Sequence, residues 1–215
     1  MDKIAFVFSG QGAQYSGMGQ ELYRCSYAAA EVFRMADAIR PGTSKQCFKG
    51  TREELRQTEN TQPCIFCVGL AAAKALSEKG IKAHCAAGFS AGEVTALTYG
   101  GYLEEDEAFK YMIKRAIHMQ NSGRKNPGLM FAVLGLESRE VENICSEAEG
   151  RYPVNFNTMT QTSVACTGDS AAFFPKAVSA AGGRAIKLSV SGGFHSPMMG
   201  NARRDLEKEF KGIND

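Results

Sequence analysis

The feature that most restricts the fold of this chain is a serine flanked by glycines, placed between a strand pattern and a helix pattern. Residues 81–87 predict a short buried strand, which ends in Gly88-x-Ser90-x-Gly92, and a helix follows to about Tyr99. Glycines on both sides permit a sharp strand-to-helix turn that lifts a serine hydroxyl clear of a sheet, the form of a nucleophile elbow. A motif this short also arises by chance, and a purely structural turn would explain it. Its position between strand and helix favours the elbow.

The first half of the chain alternates strands with helices. Residues 4–8 are a continuous apolar run, which predicts a strand buried on both faces, and a glycine-rich loop follows. Apolar spacing predicts helices over 18–39, 62–79 and 105–120. Strands separated by helices are typical of a parallel sheet. We therefore predict the α/β class, with an α/β-hydrolase-like parallel sheet carrying the elbow.

After Pro127-Gly128 the pattern changes to short strands paired with two helices. The predicted order is strand 129–136, helix 138–149, strand 154–157, strand 163–167, helix 170–181 and strand 184–190. This βαββαβ order is ferredoxin-like. We predict a large α/β subdomain formed by 1–126 and 191–215, and a ferredoxin-like subdomain over 127–190.

Charge and hydropathy exclude two classes of partner. The 25 Lys and Arg nearly balance the 23 Asp and Glu, so a concentrated basic face for nucleic acid is not expected. No apolar run approaches the ~18 residues that cross a membrane, and the N-terminus lacks a signal-peptide cleavage pattern. We predict a cytoplasmic protein without a nucleic-acid or membrane partner.

The cysteine content also agrees with a cytoplasmic protein. Seven cysteines at irregular spacing do not form the framework of a secreted disulfide protein. Cys64 and Cys67 make a CxxC inside an apolar helical pattern, with no second pair to complete a zinc site. We predict that both are core residues and that the chain holds no metal.

A serine nucleophile needs a base, and the chain has 3 histidines. His84 lies in the strand pattern before the elbow and is expected to point into the core or across the sheet. His118 lies on a predicted helix as a solvated residue. His195 lies in a glycine-rich bend where a strand ends, the place where sites form in parallel sheets. A histidine in a loop is also often an exposed residue without a functional role. His195 is therefore the candidate base on position alone.

Four segments together resemble a known family. Residues 8–14, 88–93, 114–115 with 119–120, and 193–197 occur in the order and spacing of the malonyl-CoA:acyl carrier protein transacylases. The acyltransferase domains of polyketide and fatty-acid synthases share that order. The resemblance covers nearly the whole chain.

The resemblance implies a ping-pong acyl transfer. Ser90 would attack the malonyl thioester while His195 takes its proton, giving a malonyl-serine enzyme. Backbone N–H groups of Gln11 and Ala91 would form the oxyanion hole, and Arg115 would bind the malonyl carboxylate. Malonyl-CoA is then the substrate, the acceptor is the phosphopantetheine thiol of acyl carrier protein, and no cofactor is bound.

Departures from the family pattern concern the pocket and the chain length. Phe194 resembles the malonyl-selective form, whereas Phe89 stands where the family usually has histidine, and Ala116 where it has glycine. Family members usually continue well past the histidine loop. We therefore expect a missing C-terminal segment or a complementary chain.

Two alternatives stay open. The first is a serine hydrolase or thioesterase that uses the same Ser90 and His195. The second is a truncated, catalytically impaired acyltransferase fragment. Arg115 argues against the hydrolase interpretation, because a residue that binds a carboxylate has no role in simple ester hydrolysis. The sequence does not separate a fatty-acid from a polyketide pathway.

Overall fold

The computed structural model describes residues 3–210. The chain divides into two compact units, Met1–Ile117 and His118–Asp215, and each is described by itself. The predicted subdomain limits, 1–126 with 191–215 against 127–190, stay a prediction.

The first unit contains a two-stranded parallel sheet and a set of helices. Strands β1 (Ala5–Phe8) and β2 (Cys85–Gly88) pair in parallel, with Ala5 opposite Cys85. The helices are α1 (Gln20–Cys25), α2 (Tyr27–Ile39), α3 (Thr43–Lys49), α4 (Arg52–Arg56), α5 (Thr58–Glu78), α6 (Ala91–Tyr99) and α7 (Glu105–Lys125), the last of which continues into the second unit. The predicted α/β class with a parallel sheet is confirmed.

The core of this unit lies where α2, α5 and α7 meet. Phe33, Phe66 and Phe109 are fully buried, and the rings of Phe66 and Phe109 lie 5.8 Å apart between centroids. Burying each of these rings stabilises the fold by about 1.5–3 kcal/mol. Cys64 and Cys67 belong to the same core, as predicted.

The number and the bounds of the helices differ from the prediction. The single helix over 18–39 is wrong, because Ser26 interrupts it and caps α2 by accepting a hydrogen bond from the Ala29 N–H at 3.1 Å. Helices α3 and α4 were not predicted, since neither carries a long apolar stripe, and α4 starts from a Thr51–Glu54 capping box instead. Helix α5 begins before the predicted start at Gln62-Pro63.

The burial predicted for both strands is wrong. Val7 is 77% exposed, and β2 is exposed from Cys85 to Ala87. One face is packed, because the Phe6 and Phe8 rings lie 5.1 and 6.0 Å from that of Tyr99. The alternate face is open among the described residues, so the side chains that alternate with Phe6 and Phe8 meet solvent.

The second unit is ferredoxin-like, as predicted. Its elements are β3 (Gly128–Leu134), α8 (Ser138–Ser146), β4 (Arg151–Thr158), β5 (Gln161–Thr167), α9 (Gly168–Ala180), β6 (Arg184–Lys187), a 3-10 turn at Pro197–Met199 and α10 (Gly200–Glu209). The strands form an antiparallel sheet in the order β4-β5-β3-β6. Phe131, Val164 and Phe174 are buried in its core.

Residues 3–210 lack two features. No helix in this range combines the length and the apolar character that crossing a membrane requires. Within the same range, no three His, Cys, Asp or Glu side chains are grouped so that they could hold a metal ion.

Candidate active site

The strand-to-helix turn at Ser90 has the geometry of a nucleophile elbow. Ser90 has φ 54° and ψ −104°, and α6 begins at the next residue. A Cβ on Gly88 would lie 2.1 Å from the carbonyl carbon of Gly92, and a Cβ on Gly92 would lie 2.2 Å from the Phe8 oxygen. Only glycine fits at either position, so the spacing of the motif follows directly from how tightly the turn is packed.

Backbone strain singles out two residues. Within residues 3–210, Ser90 and His195 are the only residues other than glycine with positive φ, at 54° and 61°. Such conformations cost about 1–3 kcal/mol each and cluster at functional sites. The two candidate catalytic residues are thus each held in an unfavourable backbone conformation, one in each unit.

The side chain of Arg115 lies directly against the elbow serine. Arg115 projects from α7, and its Nη2 donates a hydrogen bond to Ser90 Oγ at 3.2 Å. Burial lowers the pKa of this guanidinium, while nearby Tyr111 and Glu93 raise it. An arginine keeps its charge in such surroundings. A fixed positive charge therefore lies one hydrogen bond from the candidate nucleophile.

Gln62 is a site residue that the sequence analysis missed. It lies on α5, is 1% exposed, and its Oε1 accepts a hydrogen bond from Arg115 Nη1 at 2.5 Å. A buried amide must find a partner, but Gln62 follows the polar residues 58–61 in the sequence, so no pattern marked it as buried. Gln62 fixes one arm of the guanidinium, so the other arm faces Ser90.

The glycine-rich loop after β1 runs against the elbow. A Cβ on Gly10 would lie 2.5 Å from the Phe89 carbonyl oxygen, so the two backbones touch. Gln11 is fastened there by its side chain, whose Nε2 donates to Thr58 Oγ1 at 3.2 Å. Ala91 is the first residue of α6, where helical N–H groups lack an acceptor within the helix. The oxyanion-hole roles of Gln11 and Ala91 stay a prediction.

Local contacts hold the loop that carries His195. Ser196 Oγ donates to the Gly193 oxygen at 2.6 Å and accepts from the Met198 N–H at 3.3 Å. A Cβ on Gly193 would lie 2.1 Å from Met198 Cε. These contacts all lie between residues of the same loop, and the His195 side chain is exposed.

The two phenylalanines predicted to contact substrate have different surroundings. Phe89, beside the nucleophile, is 45% exposed. Phe194 is 5% exposed and packs in a methionine-rich cluster that includes Met119, Met130 and Met199. The buried Phe194 thus anchors the loop that carries His195, and its effect on substrate choice stays a prediction.

The other two histidines have structural partners. His84 is exposed and outside the core, and its Nδ1 accepts from the Ile4 N–H at 3.0 Å, across to the neighbouring strand. The His118 ring is partly buried instead of solvated, with Nε2 2.9 Å from Glu209 Oε1 on α10. The role of His195 as the base stays a prediction.

Removing the acceptor that orients Arg115 tests this arrangement. Gln62→Met keeps the volume but loses the hydrogen bond, so we expect the rate of the reaction at Ser90 to fall roughly 10-fold, the value of one buried hydrogen bond to a charged group. The loss should appear mainly as a raised KM for a substrate that carries a carboxylate. Gln62→Glu keeps an acceptor facing the guanidinium and should retain more activity. Equal losses in both variants would contradict an orienting role.

The fold and the turn at Ser90 define the class of the protein. A serine at a nucleophile elbow, at the end of a strand in a parallel sheet, is typical of the α/β-hydrolase-like class. The family model described as acyl transferase domain matches residues 5–215, and the chain belongs to this family.

Three relatives illustrate the similarity. The chain is 34% identical to a malonyl CoA-acyl carrier protein transacylase of Bacillus subtilis over 213 residues, covering 96% of this chain and 53% of the relative. The crystal structure of the transacylase of that name from Clostridium perfringens superimposes with a TM-score of 0.92 at 32% identity, covering 98% of this chain and 68% of that one. A malonyl-transacylase solved in complex with its type II PKS acyl-carrier protein gives a TM-score of 0.92 at 30% identity, covering 98% and 70%. The chain thus spans about half the length of the first relative and about two thirds of the two solved chains.

Proposed function

We propose that this chain transfers a malonyl group from malonyl-CoA to the phosphopantetheine thiol of acyl carrier protein, through a malonyl ester on Ser90. The observation that carries the proposal is the 3.2 Å hydrogen bond from Arg115 to Ser90 Oγ. The free carboxylate of malonate is separated from the thioester carbonyl by a single methylene. A guanidinium next to the serine can therefore hold the carboxylate while the carbonyl lies at the hydroxyl.

The arginine makes the site selective for acids. A guanidinium offers two parallel N–H donors to a carboxylate, and such charge-assisted pairs are roughly twice as strong as neutral hydrogen bonds. Gln62 already occupies Nη1, which leaves Nη2 pointing at the serine in the absence of substrate. An acetyl group has no carboxylate to pair with this cation.

His195 and the backbone donors complete the chemistry in our proposal. His195 takes the Ser90 proton as the oxygen attacks the thioester carbon, and then gives it to the departing CoA sulfur. The N–H groups of Gln11 and Ala91 stabilise the tetrahedral oxyanion; losing one such donor costs about 3–4 kcal/mol. The carrier thiol attacks the ester by the reverse sequence, which regenerates Ser90.

The same proposal covers partners and location. Acyl carrier protein is the protein partner, malonyl-CoA and CoA are the small molecules, and no other cofactor is required. A reducing compartment, the cytoplasm, is supported by seven cysteines that are all free thiols. The hydrolase alternative lacks a role for the arginine.

Mass spectrometry of the intact protein tests the transfer. The folded chain mixed with malonyl-CoA should gain one malonyl group, and this group should move to holo carrier protein when carrier is added. Acetyl-CoA is the matched control and should label the enzyme far less. A malonyl adduct that is lost to water at the same rate with and without carrier would support a hydrolase, and no adduct on the folded protein would support an impaired fragment.

A further inference from the structure

The glycine-rich loop after β1 is fastened to a helix by a single side chain. The pairing of β1 with β2 extends as far as Phe89, whose N–H donates to the Phe8 oxygen at 2.9 Å. Beyond Phe8 the chain leaves the sheet. In the described part of the chain, the bond from Gln11 Nε2 to Thr58 Oγ1 is the hydrogen bond that joins residues 9–16 to another helix or strand. The position of Gln11 therefore depends on this contact.

Thr58 is a buried and fixed acceptor for the Gln11 amide. It is the first residue of α5, is 0% exposed, and its Oγ1 lies 3.2 Å from Gln11 Nε2. Gln11 Oε1 is buried without a hydrogen-bond partner among the residues that the structure describes. The Thr58 hydroxyl is thus the group that determines how the Gln11 side chain lies.

Thr58 and Gln62 lie one turn apart at the beginning of α5. Residues i and i+4 share one face of a helix. On this face, Gln62 holds the Arg115 guanidinium and Thr58 holds Gln11. The same end of one helix therefore contacts both the charged side chain beside Ser90 and the loop that runs against the elbow.

We propose that Thr58 is a positioning residue for the oxyanion hole. Its hydroxyl holds the Gln11 side chain, and this side chain fixes the direction of the Gln11 backbone N–H. Glycines on both sides, Gly10 and Gly12, give the loop many accessible conformations, so a donor without this contact would have to be ordered in each turnover. The inference rests on the proposed function, in which that N–H stabilises the tetrahedral oxyanion and must be oriented in advance.

The proposal predicts which kinetic constant changes. An oxyanion forms on the reacting carbonyl of every acyl substrate, with or without a carboxylate. Loss of the Thr58 hydroxyl should therefore slow malonyl and acetyl substrates by the same factor, and it should lower kcat and leave KM unchanged. Loss of the Gln62 acceptor differs, because it acts through the carboxylate and is expected mainly in KM.

Hydrolysis of p-nitrophenyl acetate tests the role of Thr58, because this ester contains neither coenzyme A nor a carboxylate. The rate of nitrophenolate release by Ser90→Ala is subtracted as background. Thr58→Val keeps the shape of the side chain and loses the hydroxyl, so we expect kcat to fall roughly 5–10-fold, the value of one buried hydrogen bond. Thr58→Ser keeps the hydroxyl and should retain most of the parent rate.

Gln11→Met removes the same contact from the other side. It deletes the amide and leaves the backbone N–H, and Gln11 is only partly buried, so the core around α5 is undisturbed. We expect the same loss as in Thr58→Val, and the double variant should be no slower than the slower single variant.

Three results would overturn the positioning role. They are a Thr58→Val rate equal to that of the parent, a loss that appears in KM, and losses that multiply in the double variant. A parent protein that cleaves the ester through Ser90 but gains no malonyl group from malonyl-CoA would refute the proposed transfer instead. The role of Thr58 would then still stand or fall with the ester rates.

Discussion

The Ser90→Gly variant is expected to be inactive and yet more stable than Ser90→Ala, by about 1 kcal/mol in the free energy of unfolding. Both variants lose the nucleophile and the hydrogen bond from Arg115, so they differ in the Cβ methyl group and in the backbone freedom that follows from it. The conformation at this position, φ 54° and ψ −104°, is strained for alanine and open to glycine. Denaturant unfolding of the two variants measures the difference.

The loss of activity should be the largest of any single substitution in the site. Removing a nucleophile of this kind lowers the turnover by at least about 10³-fold, and neither variant should gain a malonyl group in the intact mass. Equal stability of the two variants would show that the elbow stores no strain. A malonyl adduct that still forms in Ser90→Ala would show that another residue is the nucleophile.

The second large effect is expected at Arg115. Arg115→Ala should lower kcat/KM for malonyl-CoA by about 10²–10³-fold, since truncating one partner of a buried hydrogen-bonded charge pair costs about 2–5 kcal/mol. Acetyl-CoA makes no contact with this charge, so its transfer should fall much less. The ratio of malonyl to acetyl transfer is therefore the decisive measurement, because damage to Ser90 placement would reduce both.

Arg115→Lys is the matched control for charge. Lysine keeps the positive charge but offers a single point donor, and it cannot engage Gln62 and a carboxylate at once with the fork of a guanidinium. We expect an intermediate malonyl preference, above that of Arg115→Ala. An unchanged ratio of malonyl to acetyl transfer in Arg115→Ala would contradict the carboxylate anchor.

Features built from local sequence were predictable. The elbow follows from Gly88 and Gly92, where any Cβ would clash with backbone atoms. The residue types at these positions therefore indicate the turn. The ferredoxin-like order follows from short strands alternating with two apolar-striped helices. Both are visible in the residue types and spacing of short segments, although the tight space at Gly92 is set by Phe8 on the neighbouring strand.

The errors of prediction have physical causes of two kinds. Helices α3 and α4 are short and depend on caps and packing more than on an apolar period, so hydrophobic spacing does not reveal them. The exposure of Val7 and β2 was missed because an apolar run signals a strand without telling how many layers cover it.

The sequence by itself determined the elbow, the alternation of strands and helices, and the residue types that an acyl transfer needs. Only the tertiary structure decided that Gln62 holds Arg115 against Ser90. The physical reason is distance along the chain. A turn is determined by the sterics of adjacent residues, whereas these contacts join separate helices and exist only once the core around Phe33 and Phe66 has brought those helices together.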